Sequence, residues 1–128
     1  MNTNTNQPDA VSPSSLRDDL CVGKSAKVTA LQVFADDQHS YLLPYAQFLY
    51  AEMVANPALD KAADAPPQKL VICFAQAEVT VLGSGLAYLE RGIQQYELEY
   101  IKPADRRYAA ALKTHVASAS VTFTKDHV

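Results

Sequence analysis

Residues 70 to 101, LVICFAQAEVTVLGSGLAYLERGIQQYELEYI, limit what this chain can fold into more than any other stretch. Leu70 to Ala75 is a nearly continuous apolar run rich in β-branched and aromatic residues, too short for an ordinary helix, and reads as a strand buried on most of both faces. Gln76-Ala77 reads as a tight turn, and Glu78 to Leu82 as a second strand with Val79 and Val81 on one face. Gly83-Ser84-Gly85 breaks that strand, and Ser84 is placed to cap the helix that follows. Leu86, Leu89, Ile93 and Tyr96 then recur on one helical face, with Glu90, Arg91, Gln94, Gln95 and Glu97 mainly on the other. Gly92 weakens a helix by about 1 kcal/mol relative to alanine, which points to close approach of a bulky neighbour. Leu98 to Ile101 alternates and is ended by Pro103, as a returning strand would be.

The flanking segments read as more sheet for that helix to cover. Residues 1 to about 24 are rich in Asn, Thr, Ser, Pro and Asp, a composition that cannot offset ordering entropy, so a disordered tail is expected there, with a transient helix at Ser14 to Leu20. A single domain is expected over residues 25–128. Lys27 to Phe34 and Ser40 to Leu43 form two strands of a hairpin around Asp36-Asp37-Gln38-His39. Pro44 forces a bend or a sheet edge. Tyr45 to Ala55 fits a helix by propensity and a strand by alternation; hairpin context selects one turn at Pro44 to Gln47, then a strand from Phe48 to Val54. Asn56 to Gln68 is a long Ala/Pro/Asp loop, read as a flexible insertion with a lid as the alternative. Ala104 to Lys113 reads as a short helix and Val116 to Phe123 as a last, edge strand.

Composition excludes more functions than it supports. A net charge of −3, with the acidic excess lying before residue 70, offers no field for backbone phosphates, so nucleic acid is not an expected partner. No apolar run reaches membrane-spanning length, and no membrane association is expected. The chain as given opens without a basic, apolar leader, and its two cysteines form no CxxC pair, so a reducing cytoplasm is the expected location. Cys73, in an apolar run, reads as buried and inert.

The run Ser40-Tyr41-Leu42-Leu43-Pro44-Tyr45-Ala46-Gln47-Phe48-Leu49, followed by the Leu70 to Leu82 hairpin and Gly83-x-Gly85-Leu86-x-x-Leu89, resembles small uncharacterised bacterial proteins of about a hundred residues. The resemblance covers roughly residues 28–123. It implies a sheet of short strands with a leucine-proline-tyrosine bend and one helix after a strand ending in glycine. It brings no activity, and no catalytic residue can be carried across.

Candidate chemistry is sparse. Gly23-Lys24-Ser25 ends like a phosphate-binding loop, but Asp18 stands where the first glycine is required. Gly83-Ser84-Gly85 lacks the third glycine of the dinucleotide fingerprint, Tyr88 standing there, and is better explained by helix capping. Asp36, Asp37 and His39 share a turn and read as solvated rather than as cation ligands. His115 and His127 are isolated, and no nucleophile elbow occurs. No cofactor, metal or catalytic residue is assigned.

One positive clue remains. Tyr41, Tyr45 and Tyr50 cluster around the Pro44 bend, where an edge or open face would turn some rings outward. The expected fold is α+β: a curved, mainly antiparallel sheet of five to seven short strands, packed by one principal helix, with a short C-terminal helix. The expected function is a non-catalytic binding or protein-interaction module, leaning away from an enzyme, with a protein partner or a second copy (a homodimer) engaged through the sheet edge or these tyrosines. The alternative is a small-ligand or enzymatic pocket between helix and sheet, lidded by residues 56–68.

Overall fold

The structure, a computed structural model, describes residues 20–124. Among the described residues, eight strands and one α-helix follow one another: β1 (Val22–Lys24), β2 (Ala30–Phe34), β3 (Ser40–Pro44), β4 (Phe48–Ala55), β5 (Gln68–Phe74), β6 (Ala77–Ser84), α1 (Ala87–Gln94), β7 (Leu98–Ile101) and β8 (His115–Phe123). The fold is α+β, as expected, but the strands divide into two sheets of four rather than forming one. Sheet A has the order β1-β7-β2-β3 and sheet B the order β4-β5-β6-β8. All neighbours are antiparallel except β2 and β7, which run parallel with Gln32 opposite Tyr100 and Val33 opposite Ile101.

The Pro44 bend is the passage between the sheets. β3 ends at Pro44, a 3₁₀ turn carries Tyr45–Gln47, and β4 starts at Phe48 in the other sheet. Proline has no N–H to give a ladder, so the chain can leave sheet A there without stranding a donor. Tyr45 anchors the passage: its N–H donates to Thr29 O, and its hydroxyl to Leu98 O at 2.6 Å.

Alternation places the core between the sheets. Leu31, Val33 and Leu43 of sheet A join Leu70, Ile72, Val79 and Val81 of sheet B in one buried cluster. Leu86, Leu89 and Ile93 bring the helix into the same cluster. Removing such side chains from water is the main favourable term in folding. Gly92 is buried where α1 meets β7, and an added Cβ would stand 3.0 Å from both Leu98 Cβ and Lys24 Cε. The glycine is thus the close approach its position suggests.

Several expectations need correction. The tail begins to fold before residue 25: Cys21 and Val22 are buried and Val22–Lys24 is a strand, while the rest of the expected tail, residues 1–19, lies outside the described residues. Tyr96 is not part of the buried stripe and is 52% exposed. The helix stops at Gln94, and Tyr96 takes a left-handed φ of 56°. Glu97 N–H then donates to Gly92 O and Tyr96 N–H to Ile93 O, the paired bonds of a Schellman stop. Ser84 does not cap the helix; β6 runs through it, and Leu86 N–H donates instead to Gln68 Oε1 of β5 at 2.9 Å. The expected C-terminal helix is only a 3₁₀ turn at Arg106–Tyr108, started by Asp105 accepting from Arg107 N–H.

The buried cysteine is Cys21, whose sulfur accepts from Val116 N–H at 3.3 Å. Burial raises its thiol pKa, with the Val116 bond acting the other way. Cys73 sits partly exposed on the outer face of sheet B, contrary to the reading of its apolar run, because the alternation of β5 gives the interior to Leu70, Ile72 and Phe74.

Candidate binding edge

Sheet B ends in two edge strands with different fates. The outer edge of β8 is occupied around Ala119: Asp36 N–H donates to Ala119 O, and the Asp36 carboxylate accepts from Ala119 N–H and the Ser118 hydroxyl. Further along, Ala104 N–H donates to Val116 O, and Val116 N–H reaches Cys21. The outer edge of β4 has no such cover. Among the described residues, no backbone hydrogen bond reaches Tyr50–Ala55 other than the ladder to β5.

The sequence of β4 makes that edge apolar. Phe48, Ala51 and Met53 pack against the core, while Tyr50, Glu52 and Val54 point to the outer face. Leu49 is the extra residue of a bulge between Phe48 and Tyr50 and is 61% exposed. Tyr50 and Val54 are 56% and 39% exposed. Beyond the bulge the strand is regular through Ala55, roughly 20 Å at the usual rise per residue.

A groove runs between this strand and α1. It measures about 430 Å³ and is lined by Phe48, Tyr50 and Ala51 from β4 and Glu90, Ile93 and Gln94 from the helix. Neither Glu52 nor Glu90 has an ion-pair partner among the described residues. The nearest base on the outer face by register is Lys69, which stands beside Val54, whereas Glu52 faces Val71. Hydrogen bonding to the Cys73 thiol raises the Tyr50 phenol pKa, with the same neighbour's charge and slight burial adding to it.

The three candidate tyrosines do not share a surface. Tyr50 lies on the outer face at the β4 edge. Tyr41 is half-buried in sheet A, donates to Asp37 Oδ2 at 3.2 Å and packs on Phe123 with ring centroids 5.3 Å apart. Tyr45 is 6% exposed, and burial raises its phenol pKa strongly. Its ring meets that of half-exposed Tyr96 edge-on at 5.5 Å. Sequence proximity grouped them, but the 3₁₀ turn between the sheets sends each a different way. Glu52 and Val54, which the tyrosine cluster overlooked, belong with Tyr50, and the alternation of residues 50–55 is the signal for them; exposed Leu49, at the bulge, has no such signal.

A second concave region lies at the ends of β6 and β8. A cleft of about 400 Å³ is lined by Asp64, Pro66, Ser84, Arg106, His115 and neighbouring residues. Residues 64–67 do form one wall of a cleft, but against Ser84, His115 and Ala117 rather than over a helix–sheet seam. His115 is 3% exposed, and its Nε2 lies 2.9 Å from Ala104 O and 3.2 Å from Asp105 O. Carbonyls only accept, so Nε2 donates to them. Nδ1 has no hydrogen-bond partner among the described residues. Arg106 and Asp64 pair at 3.5 Å in the cleft wall.

The remaining motifs have structural roles. Gly23 lies beneath the Tyr100 ring, and Lys24 Nζ stands 3.8 Å over the Tyr88 ring. A Cβ on Gly83 would overlap His115 O, and one on Gly85, at φ 65°, would overlap Lys113 O. These glycines admit the neighbouring backbone. Asp37 accepts from His39 N–H, which lowers its pKa, while Asp36 turns away to β8. Among the described residues no group of three His, Cys, Asp or Glu side chains is placed to hold a metal, and no helix is long and apolar enough to cross a membrane. Set against protein-family models, curated proteins and solved structures, the chain matches none. The likeness carried by the Leu43-Pro44-Tyr45 bend accordingly adds no assignment.

Proposed function

We propose that the protein is a non-catalytic binding module that takes up an extended protein segment along the outer edge of β4. The observation that carries this reading is the uncovered, apolar edge at Tyr50–Ala55, beside a groove and opposite an edge that is fully engaged near Ala119. Soluble proteins cover or blunt long apolar edges, and strand addition is the recognition mode such an edge serves. Main-chain bonds would give affinity, with alternate side chains entering the Phe48/Ala51/Ile93 groove or lying beside Tyr50 and Val54. Selection from a random peptide library, followed by amide exchange on the complex, tests this. Selected peptides should slow exchange within Tyr50–Ala55; protection confined to other elements would refute it.

A second reading has its own observation: the buried, unpartnered Nδ1 of His115 at a cleft that also holds Ser84, Arg106 and Asp64. Under it the cleft binds a small polar molecule. Native mass spectrometry of the purified protein should show a retained small molecule that Ala117→Trp displaces. A bare protein mass in the presence of a broad metabolite panel would remove this reading.

A further inference from the structure

Resting on the strand-addition reading, we infer that the segment bound along β4 belongs to another protein and carries a lysine or arginine between apolar residues, opposite Glu52. Strand pairing keeps side chains on the same face opposite one another, so Tyr50, Glu52 and Val54 would face the outer-face residues of an added strand. Two of those three are apolar and exposed, and the middle one is a carboxylate without an ion-pair partner among the described residues. A strand reading apolar–x–basic–x–apolar matches them one for one. Glu90 adds a second carboxylate on the helix side of the groove, and among the described residues it has no ion-pair partner and no basic residue lines that groove.

A second copy fits less well. In symmetric antiparallel pairing of β4 with itself, the register that sets Tyr50 against Val54 sets Glu52 directly against its own counterpart. Like charges directly opposite oppose pairing, and Lys69 is not aligned to neutralise them. Glu52 therefore works against self-pairing while attracting a base.

The experiment uses the full chain and two synthetic peptides that differ at one position: valine two residues before and after a central lysine, or the same with a central glutamate. Affinity is read by fluorescence anisotropy, and location by amide exchange. The lysine peptide should bind about five- to tenfold more tightly than the glutamate peptide, and Glu52→Lys should reverse the order. Added salt should shrink the difference. Equal binding of both peptides, with Tyr50–Ala55 protected, would overturn this inference and leave strand addition standing. No protection of Tyr50–Ala55 by either peptide would overturn both. A protein that dimerises by sedimentation in the absence of peptide, with those amides protected, would replace the foreign segment by a second copy. Glu52→Gln, which should bring the two peptides to equal affinity, guards against a folding defect in the charge reversal.

Discussion

Replacing Tyr45 by phenylalanine should give a stability difference that changes sign in alkali. The tyrosine hydroxyl is buried and donates to Leu98 O at 2.6 Å, so Tyr45→Phe loses that bond and leaves a buried carbonyl short of a donor. That change costs about 1–2 kcal/mol near neutrality. The folded state holds the phenol protonated, because burial raises its pKa, whereas the unfolded chain ionises near pH 10. A group whose folded pKa is raised contributes its full stability below the unfolded pKa and loses it as pH climbs toward the folded one. Above about pH 10 the wild-type protein therefore surrenders about 1.4 kcal/mol per pH unit that Tyr45→Phe does not. The two should be equally stable near about pH 11 and inverted beyond it. Urea denaturation followed by circular dichroism from pH 8 to pH 11.5 measures this directly. The other tyrosines and the lysines are common to both proteins, so their titrations cancel in the difference. A difference that stays constant through the whole range would mean that Tyr45 ionises as freely folded as unfolded, and the burial argument would fail.

Other substitutions probe single contacts. Gly83→Ala forces a methyl into the His115 carbonyl and should lower stability by about 3 kcal/mol or more in chemical denaturation, or prevent folding. Gln68→Ala removes the acceptor for Leu86 N–H and should cost about 1 kcal/mol, with faster amide exchange at the start of α1. Asp36→Ala should cost about 1 kcal/mol and speed exchange of the Ala119 amide, because it removes the carboxylate that holds the edge of β8. Iodoacetamide should label Cys73 in the folded protein and both cysteines in urea; labelling of Cys21 under native conditions would contradict its burial.

What the sequence revealed follows the range of the forces involved. Strands β5 to β8, the Pro44 bend and the Leu86/Leu89/Ile93 face were readable because alternation, proline and helical spacing are local signals. The split into two sheets was not, since it depends on β7 returning to lie between β1 and β2, a pairing that no local pattern encodes. Ala104 to Lys113 has helical composition, yet Ala104 N–H is committed to Val116 O, and only one 3₁₀ turn forms. Tyr96 falls two residues past the end of α1, where the chain reverses hand. Of the candidate site, Tyr50 could be singled out in advance. The open edge beneath it could not, because whether an edge is covered depends on segments as distant as Asp36 is from Ala119.

The parallel pairing of β2 with β7 has a consequence for synthesis. The β2–β3 hairpin emerges from the ribosome early, yet the neighbour that shields its flank is not made until residue 101. Until then the backbone edge of β2 that β7 will pair with stays open. The nascent chain should thus be most prone to stick to others while β4, β5 and β6 are being translated, and slowing translation through residues 48–84 should lower its soluble yield.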